Sequence, residues 1–281
     1  MELYLAGLAS SNRMIDFVAE YNKNKQDNPI GVMCTYAMPK LFEKMIKRDE
    51  NWRIFLDSGA FTVWQSDGKI DIDSYADFLK EYGDYIRYAI TLDVIGEPVG
   101  TLKNWDYLVN KKGVDVVPVY HANSPDEYLD IYCEKADLVC YGGVAGKTIG
   151  WKELVLSFER LFQLKPNHKF HALGGNNLRV INRFPFFSCD ALTWRNGSRF
   201  GQLVTPEGRF HLGQRRARLN PSQVKSFGVD KWLNKYNLPY PLPEDFDYVK
   251  IDELNIEVLY EEIVLKHEEG IPSLSVSNSV F

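Results

Sequence analysis

The chain has 281 residues, of which 45% are hydrophobic and 25% charged, and it carries a net charge of −5. This balance belongs to an ordinary globular protein and excludes a disordered or collagen-like chain. An acidic total also excludes a surface coated in positive charge, although a local basic groove is compatible with it.

The first residues, Met-Glu-Leu-Tyr-Leu-Ala-Gly, lack a basic leader, and no apolar run is long enough to span a bilayer. A cytoplasmic protein is expected, in the host cytoplasm if the chain is viral, with no membrane partner. Short apolar, β-rich runs predict strands near 2–6, 30–35, 53–57, 88–93, 115–120, 137–142, 169–174 and 186–190. Helical patterns lie between them. Asp73 is placed to cap a helix whose Tyr75, Phe78, Leu79 and Tyr82 form one buried stripe. Ser124-Pro125-Asp126-Glu127 reads as a capping box with proline at the first helical position. Leu154, Val155, Phe158, Leu161 and Phe162 form a further stripe.

Eight strands alternating with helices predict an α/β fold of the (β/α)8 TIM-like class, covering 1–281 as a single domain. An open doubly wound sheet is the competing architecture, but it would usually show a Gly-x-Gly-x-x-Gly turn after an early strand, and none is present. After Asp190 a β-hairpin is expected, Phe200–Thr205 against Arg209–Leu212 across Pro206-Glu207-Gly208. A C-terminal helix follows from about 252 to 268. Cys34, Cys133, Cys140 and Cys189 are scattered, with no Cys-x-x-Cys pair. Buried reduced thiols are expected, and neither a metal nor a cofactor.

Polar and glycine punctuation falls at the C-terminal strand ends, where a parallel barrel keeps its catalytic groups. Asp57 stands in Asp-Ser-Gly-Ala-Phe, Asp93 in Ile-Thr-Leu-Asp-Val, and Asp190 in Ser-Cys-Asp-Ala-Leu-Thr-Trp. Any one of them has a plain reading as a turn-closing aspartate. Three at one rim repel one another and call for a ligand or cation to offset them. Gly142-Gly143 and Gly174-Gly175 either let a flat ligand approach the backbone or simply make tight turns. Tyr120, His121 and Phe61 are placed to line a pocket, and His121 has a second reading as a satisfied core histidine. Arg195, Arg199, Arg209, Arg215, Arg216 and Arg218 gather positive charge beyond Asp190. They form either a phosphate-binding patch, whose affinity would fall steeply with salt, or a solvated basic face. Trp194 is open between stacking on an unpaired base and packing.

Asp57-Ser58-Gly59-Ala60-Phe61 resembles the Asp-Ser-Gly-Gly-Phe segment of tRNA-guanine transglycosylases. Asp190-Ala-Leu-Thr-Trp-Arg195-Asn-Gly-Ser-Arg199 with the hairpin after it resembles their nucleophile segment and arginine-rich hairpin. The resemblance spans roughly residues 50 to 220 in the same order. It implies a barrel pentosyltransferase that exchanges guanine in a nucleic acid for a 7-deazaguanine. Asp190 then matches the nucleophile and Asp57 the general acid/base. Asp93 matches the reader of the incoming base, with Ser58, Gly59, Phe61, His121, Gly142, Gly143 and Gly174 around it.

Two departures bear on the substrate. The family's tRNA enzymes carry a Cys-x-Cys-x-x-Cys…His zinc site after the hairpin, whereas no cysteine follows Cys189 here, and this chain is shorter than they are. It is more similar to compact phage-encoded relatives that act on DNA, which makes DNA the expected partner and tRNA the alternative. A non-catalytic partner subunit, also known in this family, would be expected to lack one of the two aspartates, and both are present.

Overall fold

The computed structural model describes residues 1–48, 50–64, 68–143, 150–174 and 177–270, apart from the side chains of Phe61, Trp64 and Trp151. The chain divides into two compact units. One comprises Glu2–Gly175 and Phe186–Ala191; the other comprises Met1, Asn176–Pro185 and Leu192–Phe281.

The first unit is built on eight strands: β1 (Glu2–Ala6), β2 (Gly31–Thr35), β3 (Ile54–Asp57), β4 (Ile86–Ala89), β5 (Val119–His121), β6 (Leu138–Gly142), β7 (Lys169–Ala172) and β8 (Ser188–Ala191). They form one sheet in the order β4-β3-β2-β1-β8-β7-β6-β5, with every pairing parallel. The two outermost strands meet at an isolated parallel bridge between Ile90 and Val117. Two hydrogen bonds make it: Thr91 N–H to Val117 O at 2.9 Å and Val117 N–H to Ala89 O at 2.7 Å.

Strand alternation decides what each face carries. Tyr4, Phe55, Ile90, Val117, Val119, Leu138 and Cys140 pack as one cluster, with Met33, Tyr88, Leu173 and Phe187 against it. Register partners share a face, so this cluster fixes the side of every neighbour. Thr35 lies opposite Asp57, Tyr4 opposite Asp190, His121 opposite Gly142, and His171 opposite both Cys140 and Ser188. Two residues beyond the buried Phe55 stands Asp57. Asp190 bears the same relation to Ser188.

Glu2, at the start of β1, accepts from Arg87 at 2.6 Å, from the Tyr4 hydroxyl at 2.7 Å and from Arg53 at 3.3 Å. A carboxylate held by two guanidinium groups at the N-terminal edge of the strands is a structural ion cluster. The carboxylates at the C-terminal ends have different company, described below.

Two predicted strands moved. β4 lies at Ile86–Ala89 rather than 88–93, and β5 at Val119–His121 rather than 115–120. Pro118 has no N–H to give a ladder and interrupts the run before β5. Two predicted caps also moved. The helix Ile72–Tyr82 is capped by Asp71, whose carboxylate accepts from the Ser74 N–H at 2.8 Å, while Asp73 pairs with Lys112 and Tyr107. The helix Asp126–Lys135 has Pro125 at its N-cap, without a side-chain cap from Ser124. Proline's φ of −57° already suits the approach to the first turn. The stripe from Leu154 to Phe162 holds, on the helix Trp151–Leu164.

The second unit contains the hairpin β9 (Gln202–Thr205) and β10 (Gly208–His211), paired antiparallel. Its first strand begins two residues later than expected. The residues before it, Asn196–Phe200, form a short helix that Gly201 ends in the left-handed region. The C-terminal helix runs Val249–Leu259 and continues with wider, π-helical turns over Tyr260–Leu265 to Glu268. Asn255 ties this helix to the hairpin: its amide accepts from Val204 N–H and donates to Trp194 O and Gln202 O. All four cysteines are free; Cys34, Cys140 and Cys189 are buried and Cys133 half-buried.

Candidate active site

Asp57 ends β3 and is enclosed by protein, yet keeps part of its surface accessible. Its Oδ2 accepts the Gly59 N–H at 3.1 Å, and the Thr35 hydroxyl lies beside it on the neighbouring strand. Burial pushes its carboxyl up from an ordinary 3.8 to about 7. The charges of Asp93 and Asp190 push the same way, while Gly59 and Thr35 pull it partly back.

Asp93 follows β4 in a coil, and its Oδ2 lies 3.0 Å from His121 Nε2 at the end of β5. Because a carboxylate only accepts, that ring nitrogen carries the proton. Strand parity would have turned Asp93 away, since Ile90 already faces the core. Leaving the strand at Thr91 frees the chain to bring the carboxylate back.

Asp190, on β8, is 7% exposed. Its Oδ1 accepts the Gly174 N–H at 2.6 Å and lies 3.6 Å from His171 Nε2. The three carboxylates belong to one electrostatic cluster. Beneath them the fully buried Cys140 thiol is pushed well up, by burial first and then by Asp190, Asp93 and Asp57 together. All three charges therefore lie within electrostatic reach of this one buried atom. Among the described residues, no three His, Cys, Asp or Glu side chains are grouped to hold a metal ion.

The other predicted residues divide. Gly142 lets the His121 ring lie close, for a Cβ there would stand 3.2 Å from its Cδ2. Gly143 follows at φ 79°. The Gly174 N–H is committed to Asp190 rather than offered to a ligand. Ser58 is fully buried and its hydroxyl accepts from the Ala60 N–H at 3.4 Å. Tyr120 alternates away from His121 and gives its hydroxyl to Ser124 O, toward the helix layer. Phe61 is the second residue of the helix Ala60–Trp64, but its side chain lies outside the described residues, as does Gly175. Sequence reasoning passed over Thr35 and His171. Thr35 had its strand-end position as a signal. His171 had its place in an apolar strand, one register step from the Ser188-x-Asp190 face.

Gly59 joins β3 to the helix Ala60–Trp64 at φ 81°, where a Cβ would stand 2.7 Å from Ala37 Cβ and 2.9 Å from Thr35 Oγ1. Gly59→Ala is therefore expected to cost about 1–3 kcal/mol from backbone strain, more if Ala37 cannot yield. It should also displace the N–H that holds Asp57. Chemical denaturation will measure the first effect and an activity profile shifted to higher pH, or weakened, the second.

In the second unit, Arg199, Arg215 and Arg216 line one hollow of about 400 Å3 with His211, Gln214, Glu244 and Tyr248. Arg215 is paired with Glu244 at 3.2 Å. Arg209 and Arg218 are exposed, and Arg195 lies over the Trp194 ring. Trp194 itself is 1% exposed, which makes it a packing residue rather than a platform for a base.

No protein-family model matches the chain. It is similar to "Uncharacterized protein 306" of Sulfolobus islandicus rod-shaped virus 1, with 24% identity over 219 residues, 74% of this chain and 69% of that protein. A viral protein thus stands among its relatives. Among the described residues, no helix is long and apolar enough to cross a membrane.

Proposed function

We propose that the chain is a base-exchange glycosyltransferase, built on a (β/α)8 barrel, that replaces guanine in DNA by a 7-deazaguanine. The observation that carries this reading is the Asp57 carboxyl held at about 7 by burial and by the two carboxylates beside it. Near neutral pH such a group gives a proton in one half of a reaction and takes it back in the other.

Asp190 is the nucleophile. It attacks C1′ of the sugar as guanine departs, and Asp57 supplies the proton that the leaving purine needs. The incoming base then displaces the ester, and Asp57 receives its N9 proton. Two displacements retain the anomeric configuration, as in retaining glycosidases. The pair Asp93 and His121 presents an acceptor and an imidazole to a purine edge, and Gly142-Gly143 offers backbone groups at the neighbouring strand end. A base inside a stacked duplex is out of reach of such a pocket, so the nucleotide is flipped or single-stranded. The arginine-lined hollow supplies cations for phosphates in an otherwise acidic protein. DNA is favoured over tRNA because no cysteine follows Cys189 to build the tRNA enzymes' zinc site.

Incubation with labelled guanine and either duplex DNA or tRNA tests the proposal. Label is expected in DNA. Incorporation into tRNA alone would move the substrate, and incorporation into neither would defeat base exchange.

A further inference from the structure

The scheme above gives no part to His171, a fully buried residue of β7. Its Nδ1 lies 2.8 Å from the Ser188 hydroxyl on the adjacent strand. The Phe55 ring lies against it at 4.4 Å between centroids, and Tyr4 edge-on at 6.2 Å. So enclosed, the ring keeps one orientation. Its Nε2 is buried without a hydrogen-bond partner, 3.6 Å from Asp190 Oδ1. That separation is too long for a hydrogen bond, and a buried polar atom left unpaired costs about 1–3 kcal/mol. Such an atom in a packed core needs a reason.

The surroundings favour one assignment of the ring proton. A lone pair facing a carboxylate oxygen is repelled, whereas an N–H is attracted. Ser188 can donate to Nδ1, which leaves Nε2–H directed at Oδ1. The same Oδ1 already accepts the Gly174 N–H at 2.6 Å.

We infer that His171 is a positioning residue for the nucleophile: it directs an N–H toward Oδ1 of Asp190, the oxygen that the Gly174 N–H already holds. This inference rests on the base-exchange reading. In the first step a carboxylate oxygen of Asp190 bonds to C1′ as the C1′–N9 bond breaks; the electron pair goes to the purine, which takes a proton from Asp57. In the second, N9 of the incoming base bonds to C1′ and passes its proton to Asp57. The electron pair of the C1′–O bond returns to the Asp190 carboxylate. Oδ1 therefore carries less negative charge in the ester intermediate than in the carboxylate on either side of it. N–H donors aimed at Oδ1 favour the anion, so they hasten the second step while doing little for the first.

That asymmetry is the test, because general damage to the fold would slow both steps together. A DNA duplex is mixed with the full chain, the adduct is followed on denaturing gels, and its resolution is started with labelled guanine. His171→Phe keeps the ring and removes the donor. It should form adduct within a few-fold of the wild-type rate, resolve it about tenfold to a hundredfold more slowly, and accumulate it. His171→Gln, whose amide reaches the Nε2 position, should restore resolution, and the shorter His171→Asn should not. Should the Phe variant fail to fold, the Gln and Asn pair decides. Resolution at the wild-type rate in His171→Phe, equal slowing of both steps, or equal behaviour of Gln and Asn would overturn the assignment. A wild-type chain that forms no adduct with DNA or tRNA would instead remove base exchange itself, and this inference with it.

Discussion

Replacing Asp190 with asparagine is expected to abolish both the covalent adduct and base exchange, by a factor on the order of 10^4 or more. The amide keeps an oxygen for the Gly174 N–H, now 2.6 Å away, so the strand end should survive the change. What it lacks is the negative charge that attacks C1′. Asp190→Ala removes the acceptor as well and leaves the Gly174 N–H without that partner, at a further cost in stability. Comparing the two variants by thermal unfolding and by denaturing gels separates chemistry from folding. An adduct persisting in either variant would mean that another residue is the nucleophile.

The second large effect is expected at Asp57, with opposite signs for activity and stability. Asp57→Asn should lower exchange by about 10^2–10^4, the usual worth of a placed acid/base group. It should also make the protein more stable at alkaline pH. The folded chain holds the Asp57 proton up to about 7, whereas an unfolded aspartate releases it near 3.8. Stability therefore falls as pH rises between those values, and asparagine removes that loss. The gain should be on the order of 2–4 kcal/mol above pH 8 and should vanish near pH 4. Denaturant titrations at several pH values measure it, and a gain independent of pH would show that the carboxyl is not held protonated. In the wild type, guanine departure should decline as pH rises through about 7, because the proton donor is then lost.

Much of this site was legible because alternation and strand ends are local signals. Asp57 and Asp190 each follow an apolar run whose period sets their face, and both lie where a strand-end aspartate should. Asp93 was singled out as a strand-end aspartate, although the parity rule alone would have turned it away from His121. The coil after Ala89 brings it to His121, just beyond the Ile90–Val117 bridge across the sheet, a contact with no trace in the neighbouring sequence. Likewise His171 matters through Ser188 and Asp190, residues of another strand. The caps at Asp71 and Pro125 were missed by two residues and by one. Serine, aspartate and proline compete for the same few positions there, and backbone geometry chooses among them.

The junction of β4 and β5 gives the sheet an uneven tensile strength. Neighbouring strands elsewhere share two to four register partners, while these two hold each other by the Ile90–Val117 bridge alone among the described residues. A wall yields first where the fewest bonds must break. The Asp93–His121 pair stands directly above that junction as a rivet. Any guest that draws the Asp93 oxygens to itself loosens the rivet as it enters, so admission and slackening become one event. This side of the mouth would then give way to an incoming base, while the firmly laddered β8–β1–β2 side keeps the attacking group still.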